Sequence, residues 1–401
     1  MAMPERENIK IVSIGWKIMK KKPEFHGSDL EKIADYYHLN KENIILFGAN
    51  VNPLGLSGQV KKDLAEHLDI ISSYPDRDYT DLKKAIAAYT NTSPEHIVVG
   101  NGSTELISLL ISQRAPKRAL LLGPTYSEYA RELNLVGGTL EYYNLKEEQD
   151  FRLDISDLTD TLKSDIDLLI ICNPNNPTGY LYTRREMNQI RDLVKKYDLY
   201  LFSDEVYREF IYTGSPYISA CHLEGIEDNV VLIDSVSKRY SECGIRIGAL
   251  ITKNKAVRQA VMKFCQARLS PPLIGQIAAE ASLETPEDYL RDTYDEYVER
   301  RKCLIDGLNR IPGVYSPIPM GAFYTVAKLP VDDSEKFCAW CLSDFSYEGE
   351  TVMMAPAAGF YTTPGAGRNE VRIAYVLKKE DLIRALFVLH KALEAYPGRT
   401  E

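Results

Sequence analysis

Short apolar runs alternate with amphipathic stretches between about residues 95 and 270. Residues 184–196 are one such amphipathic stretch and predict a helix. The apolar runs, which predict strands, are residues 119–122, 168–171, 200–202, 230–233 and 249–251. This alternation predicts an α/β fold, with a mostly parallel sheet covered by helices on both faces.

The pattern changes after about residue 271. A long charged helix is predicted over residues 286–310, shorter strands over 324–327 and 371–375, and a last helix over 379–393. A chain of 401 residues exceeds what one compact core usually supports, so we expect about two domains. The second would be a smaller α+β domain.

The charge of the chain argues against a nucleic-acid partner. There are 48 lysines and arginines against 57 aspartates and glutamates, which gives a formal net charge of −9. No basic run is longer than Lys20-Lys21-Lys22. Proteins that neutralise a phosphate backbone need denser positive charge than this.

The cysteines and the N-terminal region indicate in which cellular compartment the protein is expected. The seven cysteines are scattered singly, apart from Cys338 and Cys341. No second Cys or His pair lies near those two in the sequence, so we predict core-facing positions of a helix and no metal site. Reduced thiols and no signal peptide predict a cytoplasmic protein. The apolar stretch at 9–18 is too short to span a membrane.

Residues suited to chemistry gather where the predicted strands end. The strand at 230–233 leads into Asp234-Ser-Val-Ser-Lys238, and Arg246 follows between glycines. A lysine beside two hydroxyls and a guanidinium suits Schiff-base chemistry on a phosphorylated aldehyde cofactor. Taken alone, these residues would favour the simpler interpretation, a solvated Lys-Arg pair after a strand.

Three other segments favour the chemical interpretation. Cys-Asn-Pro-Asn-Asn-Pro-Thr-Gly at 172–179 follows a strand, and its prolines fix a rigid loop where open α/β sheets bind ligands. The strand at 200–202 delivers Asp204 and then Tyr207, and an acid at that point can pair with a protonated ring nitrogen. Gly-Asn-Gly before Ser103 and Thr104 predicts an anion site at a helix N-terminus.

Together these segments resemble the fold-type I pyridoxal phosphate (PLP) aminotransferases of class I/II. The resemblance runs from about His26 to about Leu386 in the family's motif order. It implies the PLP-transferase fold of type I, with a mostly parallel large domain and a smaller α+β domain. The implied division is an N-terminal arm with part of the small domain at 1–55, a large PLP-binding domain at 56–285, and the C-terminal small domain at 286–401.

The resemblance also implies the contacts of the cofactor. Lys238 would form the Schiff base with PLP and then serve as general base and acid, and Asp204 would pair with the pyridine nitrogen. Asn176 and Tyr207 would hydrogen-bond the phenolic oxygen of the ring. The residues expected to hold the phosphate are Ser103, Thr104, Ser235, Ser237 and Arg246.

Further residues are implied on the ring, the substrate and the neighbouring subunit. Tyr126 matches the aromatic residue that stacks on the ring, and Arg372 matches the arginine that clamps the substrate's carboxylate, with Asn176 beside it. Tyr74 matches a tyrosine that reaches the cofactor phosphate of the neighbouring subunit, although Tyr79 lies close by. A site completed by a second subunit predicts a two-fold homodimer.

The substrate is the least constrained part. Segments at 26–31, 49–55 and 73–76 resemble threonine-phosphate decarboxylases and histidinol-phosphate aminotransferases, whereas 267–272, 321–324 and 355–360 are similar to aspartate aminotransferases. This mixture most resembles the aminotransferase half of bifunctional nucleotidyltransferase–aminotransferase proteins of phosphonate biosynthesis. We therefore expect ping-pong transamination between 2-aminoethylphosphonate and phosphonoacetaldehyde, in a chain that suits a domain excised from a fused nucleotidyltransferase. Aspartate aminotransferase is the second interpretation, and a phosphate-substrate decarboxylase the third.

Since ping-pong chemistry presents both substrates to one cavity, Arg372 could bind the carboxylate and the phosphonate in turn. Arg268 or Arg208 could instead take the phosphonate.

Two other classes of protein are disfavoured. An aminotransferase-like transcription regulator would need a basic helix-turn-helix segment before the fold, which residues 1–25 are too short to form, and a dehydrogenase would need a G-x-G-x-x-G after a strand.

Overall fold

A computed structural model describes residues 30–76, 78–114, 116–162, 165–285 and 287–400 of the chain. The predicted features at residues 9–18, Lys20-Lys21-Lys22 and His26 lie outside the described residues, as does Pro286, where the long helix was predicted to begin. The helices are α1 (Leu30–Tyr37), α2 (Gly58–Glu66), α3 (Thr80–Thr90), α4 (Ser103–Arg114), α5 (Glu128–Leu135), α6 (Ile155–Thr161), α7 (Arg184–Tyr197), α8 (Val236–Arg239), α9 (Lys255–Ala267), α10 (Leu273–Leu283), α11 (Glu287–Leu308), α12 (Ser334–Ser343) and α13 (Lys379–Ala395). The strands are β1 (Ile44–Leu46), β2 (Ile97–Asn101), β3 (Arg118–Gly123), β4 (Thr139–Asn144), β5 (Leu168–Cys172), β6 (Tyr200–Asp204), β7 (Val230–Ser235), β8 (Ile247–Ile251), β9 (Tyr324–Lys328), β10 (Thr351–Met353), β11 (Ala355–Pro356) and β12 (Glu370–Ala374).

A seven-stranded sheet organises the larger part of the fold. Its strand order is β2-β8-β7-β6-β5-β3-β4, and the pairs from β7 through β4 are all parallel, whereas β8 runs antiparallel to both of its neighbours. Strands β5, β7 and β8 are buried along their whole length, as expected when helices cover both faces. The predicted α/β class and mostly parallel sheet are confirmed.

Because β5, β6 and β7 are parallel neighbours, their carboxyl ends meet at one edge of the sheet. Cys172 is paired with Asp204 in register, and Asp204 with Ile233, one residue before the Asp234 that begins the lysine turn. The loops predicted to carry chemistry therefore leave the sheet side by side. This edge is where open α/β sheets bind ligands.

Helix α7 shows how the sequence determines one of the helices that cover the large sheet. Thr183 accepts a hydrogen bond from the backbone of Glu186, whose side chain bonds back to Thr183, so a capping box starts the helix. Met187, Ile190 and Val194 recur at helical spacing and are buried against the sheet. Replacing Thr183 by alanine would remove that cap, which is worth about 1 kcal/mol.

The C-terminal part of the chain forms a second core. Strands β11, β12 and β9 make an antiparallel sheet with β12 in the centre, and β1 pairs in parallel with β10. Phe47 joins this core from the N-terminal side. The strands predicted at 324–327 and 371–375 and the helix predicted at 379–393 are confirmed, whereas the domain boundaries stay a prediction.

The Cys338–Cys341 pair lies on α12 with both side chains buried, which confirms the helical, core-facing interpretation. Within the part of the chain that the structure describes, no helix is both long enough and apolar enough to cross a membrane.

Candidate active site

A cavity of about 320 Å³ opens at the carboxyl edge of the large sheet. Its volume is at the lower end of the range for small-molecule sites, about 300–1,000 Å³. Eleven of the twelve side chains predicted from the sequence line it: Ser103, Thr104, Tyr126, Asn176, Asp204, Tyr207, Ser235, Ser237, Lys238, Arg246 and Arg372. Larger hollows of about 480 and 550 Å³ lie elsewhere on the surface, away from these residues.

Lys238 sits on the one-turn helix α8 that follows β7. Its Nζ donates a hydrogen bond to the backbone oxygen of Asn50 at 2.7 Å. Burial first, and then the nearby cations Arg372 and Arg246, lower the pKa of Lys238 to about 8, although Cys243 and Asp204 act in the opposite direction. A substantial fraction of the amine is therefore neutral near pH 8, the form that can act as nucleophile or base.

Asp204 ends β6 with its carboxylate fully buried. The phenol of Tyr129 donates to Oδ2 at 2.6 Å, and the backbone N–H of Val206 donates to Oδ1 at 3.3 Å. Burial raises the pKa of Asp204 to about 6 in spite of these two donors, and the carboxylates of Asp234 and Glu205 push it in the same direction. A cation placed against this carboxylate would stabilise its ionised form and so offset the cost of burying the charge.

The Asn-Pro loop after β5 is held rigid by its own side chains. Asn175 Nδ2 donates to the oxygens of Pro124 and Thr178, at 2.9 and 2.8 Å. Gly179 has φ +69, and a Cβ there would lie 2.4 Å from Pro319, so only glycine fits the end of the loop. The loop thereby holds Asn176 over the cavity.

Tyr207 lies deep in the cavity with its hydroxyl 3.0 Å from that of Tyr324. Burial, and then the neighbouring Tyr324, raise the pKa of Tyr207 well above its usual value of 10. The phenol is therefore neutral at physiological pH and can donate a hydrogen bond to an acceptor in the cavity.

The anion-binding end combines a helix N-terminus with hydroxyls and one guanidinium. Ser103 and Thr104 open the twelve-residue helix α4, whose first N–H groups have no partner within the helix. Ser235 and Ser237 lie with their hydroxyls 2.8 Å apart. Arg246 lies so close to Gly102 that a Cβ there would meet Nη2 at 2.1 Å. The absent side chain of Gly102 thus leaves room for the guanidinium.

Arg372 enters the cavity from the central strand of the small sheet. Its Nη1 donates to Asn176 Oδ1 at 3.2 Å and its Nη2 to the backbone oxygen of Gly48 at 3.1 Å. The guanidinium lies 4.5 Å from the ring centre of Tyr324 and 4.9 Å from that of Phe360. Its Nε is buried and has no hydrogen-bond partner among the described residues, so one donor of the guanidinium is unsatisfied in this arrangement.

Tyr74 is the predicted residue that the structure does not bring to the cavity of its own chain. Its side chain is 87% exposed and lines the 550 Å³ hollow with Leu269. The competing Tyr79 is buried, and its hydroxyl donates to the backbone oxygen of Leu269 at 3.1 Å. Tyr79 is therefore committed to the core, and Tyr74 is the one of the two that a second subunit could reach.

The two alternative cations for a phosphonate are engaged elsewhere. Arg268 makes a two-pronged ion pair with Glu105, with N–O distances of 2.5 and 2.6 Å. Arg208 lies 3.8 Å from the buried Glu205. Neither is part of the cavity lining among the described residues.

Sequence reasoning missed several contributors. Tyr129 follows the predicted Tyr126 by three residues and Tyr324 lies in the segment 321–324, but nothing in either segment indicates that their hydroxyls bond Asp204 and Tyr207. Helical spacing does not relate Tyr129 to Tyr126, because α5 begins at Glu128 and Tyr126 precedes it. Asn50 acts through its backbone oxygen, which every residue type possesses, so its identity carries no signal.

Comparison with known proteins agrees with this geometry. Residues 42–389 match the family described as aminotransferase class I and II. The chain belongs to this family. Threonine-phosphate decarboxylase of Salmonella typhimurium is 33% identical over 261 residues, 65% of this chain and 70% of that protein. Aspartate aminotransferase of Pyrococcus horikoshii is 26% identical over 332 residues, 80% of this chain and 82% of that protein.

The fold agrees as well. The structure of an aspartate aminotransferase from Thermotoga maritima matches with a TM-score of 0.80 at 26% identity, covering 93% of this chain and 98% of that one. The predicted type I aminotransferase fold is therefore confirmed, as is membership of class I and II.

The cofactor of class I and II aminotransferases is pyridoxal phosphate, and the residues of this cavity fit it. A buried carboxylate that forms no ion pair among the described residues suits a protonated ring nitrogen, and a helix N-terminus with hydroxyls and Arg246 suits a phosphate. Lys238 lies in the same cavity with a lowered pKa. The lining thus offers a complementary group for each polar part of the cofactor.

Proposed function

We propose that this class I and II aminotransferase moves an amino group between 2-aminoethylphosphonate and a carbonyl acceptor by a ping-pong route. The observation that carries the proposal is that, among the described residues lining the cavity, a single cation remains for the substrate. Lys238 and Arg246 are assigned to the cofactor, which leaves Arg372 with an unpartnered Nε. 2-Aminoethylphosphonate carries one anionic group, whereas aspartate and threonine phosphate each carry two.

The residue roles follow from the chemistry of each group. Pyridoxal phosphate supplies an aldehyde that takes up amines and a ring that withdraws electrons from the reacting carbon. Lys238 Nζ would accept the proton from the substrate carbon and return it later, which its lowered pKa favours. Asp204 would keep a proton on the ring nitrogen, and Tyr207 would donate to an oxygen of the ring.

Arg372 would hold the substrate's anion. Its guanidinium lies close to the rings of Tyr324 and Phe360, which help to shield it from water. Planar, bidentate recognition suits two oxygens of a phosphonate as well as a carboxylate. Asn176 would orient the fork through its bond to Nη1.

The test is a panel of single-turnover half-reactions, monitored by the absorbance of the cofactor. We expect 2-aminoethylphosphonate to react faster than aspartate or threonine phosphate. Ethanolamine is the matched control, since it has the same amine carbon without the anion, and it should react poorly. Fast reaction with aspartate and none with 2-aminoethylphosphonate would favour aspartate transamination. Release of CO₂ from threonine phosphate would favour the decarboxylase.

We further propose a two-fold homodimer in which Tyr74 reaches the partner's cofactor site. The exposed Leu269 lines the same hollow as Tyr74, and exposed apolar surface of this kind marks contact surfaces. The predicted cytoplasmic location stays a prediction.

The dimer can be tested by mixing two inactive variants. Tyr74→Ala and Lys238→Ala should each be impaired as pure proteins. If Tyr74 acts across the interface, a hybrid dimer contains one site with both residues intact, so mixing and reassociating the subunits should restore part of the activity. No restoration in hybrids confirmed by native mass spectrometry would exclude a role for Tyr74 across the interface.

A further inference from the structure

A buried ion pair brackets the turn that carries Lys238. Asp234, near the end of β7, accepts a hydrogen bond from Nη2 of Arg239, the last residue of α8. The two residues are 3% and 2% exposed. Asp234 Oδ1 also accepts the backbone N–H of Ser235 at 2.7 Å. The pair therefore closes a loop of the chain whose intervening residues include Lys238.

The pair lies behind the turn, away from the active-site cavity. Asp234 and Arg239 line a separate cavity of about 20 Å³ with Tyr89, whereas Ser237 and Lys238 line the active site. Consecutive residues of a helix point about 100° apart. Fixing the direction of Arg239 on this short helix therefore also fixes the direction of Lys238.

A second contact anchors the pair to the rest of the large domain. The guanidinium of Arg239 lies 4.2 Å from the ring centre of Tyr89 on α3. The hydroxyl of Tyr89 donates to Glu209, two residues after Tyr207. The anchor thus connects the lysine turn with the segment that presents Tyr207.

Stability alone does not account for this arrangement. Two charges removed from water cost several kcal/mol each, and apolar residues of similar volume often give equal or greater stability. What an ion pair adds is direction, because a guanidinium and a carboxylate meet in few geometries.

We propose that Asp234 and Arg239 are positioning residues, which hold α8 so that Lys238 faces the cavity. The inference rests on the proposed role of Lys238. It assigns a purpose to a buried pair that does not itself line the active-site cavity and that contacts the lining through the backbone of Ser235. Loss of the pair should leave Lys238 present but misdirected.

The variants are Arg239→Met, which removes one charge, and Asp234→Leu/Arg239→Met, which removes both so that Asp234 is not left as an unpaired carboxylate. Arg208→Met is the matched control. Arg208 is also a well-buried arginine near a buried carboxylate, and it lies 5.5 Å from the same Tyr89 ring, but it is not part of the lysine turn. Arg239→Lys tests whether a charge without the fork suffices.

The first measurement uses PLP-free protein. Lys238 is labelled with a small aldehyde and cyanoborohydride over a range of pH, and the label is located by mass spectrometry. The second is the dissociation constant of PLP. In Arg239→Met and in the double variant we expect labelling at Lys238 to slow at least five-fold at pH 7.5, and PLP to bind at least ten-fold more weakly. Arg208→Met should match the wild type, and Arg239→Lys should recover part of the loss.

The outcomes separate the two proposals. If the wild type does not attach PLP at Lys238, the proposed function is wrong. If it does, but the double variant labels and binds as the wild type does, the positioning role is wrong. Equal losses in Arg208→Met would also overturn it. Should Arg239→Met fail to fold, the double variant and Arg239→Lys decide by the same measurements.

Discussion

The cofactor side and the substrate side of the cavity are built in different ways. On the cofactor side, many contacts are local, although Tyr129 reaches Asp204 across 75 positions and Lys238 reaches Asn50 across 188. Val206 bonds Asp204 two positions away, and Ser237 bonds Ser235 two positions away. On the substrate side, Arg372 bonds Asn176 and Gly48, which are 196 and 324 positions away in the chain.

This difference has consequences for how each side responds to change. The cofactor side is a set of loops leaving neighbouring strands of one sheet, so the sheet itself holds the groups in place. The substrate side exists only while the N-terminal segment, the Asn-Pro loop and the small sheet stay docked. We therefore expect the substrate side to be the more sensitive to shifts between these parts.

The largest effect should come from Lys238→Ala on the cofactor side. Nucleophile and proton carrier are lost together, so turnover should fall by roughly 10³-fold or more. Non-covalent binding of PLP should persist, because the phosphate end is intact. In the wild type, borohydride should fix the cofactor to Lys238, as located by mass spectrometry. A label on another lysine would make the whole site assignment wrong.

The next largest effect should come from Arg372→Lys on the substrate side. An ammonium cannot reproduce the fork, so both half-reactions should weaken by about 2–4 kcal/mol. Arg268→Lys is the matched control, because Arg268 makes a two-pronged pair with Glu105 outside the cavity. Stopped-flow absorbance separates the half-reactions. If only the amino-acid half-reaction falls, one shared anion site is excluded.

The same division explains how far the sequence could predict the site. Asp204, Lys238 and the hydroxyls stand in short motifs directly after apolar strands, and parallel strands bring such ends together by themselves. Tyr324 and Asn50 were missed because their contacts arise from the docking of distant segments. The ion pair of Asp234 and Arg239 was missed because a sequence does not show that two charges five positions apart are buried against each other.

Asp204→Asn should separate function from stability on the cofactor side. Burial raises the pKa of Asp204 from 3.8 to about 6, so the folded protein binds more protons than the unfolded chain between about pH 4 and 6. Stability therefore falls as the pH rises through this window and stays lower above it. A rise from 3.8 to about 6 corresponds to about 3 kcal/mol.

We accordingly expect PLP-free Asp204→Asn to be more stable than the wild type at pH 7 by about 1–3 kcal/mol, and equally stable near pH 4. Activity should be lost all the same. Glu205→Gln is the neighbouring control, since Glu205 is also buried but lies beside Arg208, and its loss would leave that cation unpaired. Urea denaturation at both pH values measures the difference. A destabilised Asp204→Asn at pH 7 would contradict the assignment.

The smallest effects should come from removing one hydroxyl on each side. Tyr129→Phe deletes a donor to Asp204, and Tyr324→Phe deletes the partner of Tyr207 beside Arg372. Each should cost about 1–2 kcal/mol in kcat/KM.

The pH profiles of the two variants should differ, however. Losing the Tyr129 donor raises the pKa of Asp204 further, and since the ionised carboxylate is the active form, the acid limb should move to higher pH. In Tyr324→Phe the limb should stay in place while KM for the anionic substrate rises. If Tyr324→Phe moves the acid limb and Tyr129→Phe does not, the two sides are coupled through Tyr207, and the division into a local cofactor side and a docked substrate side is wrong.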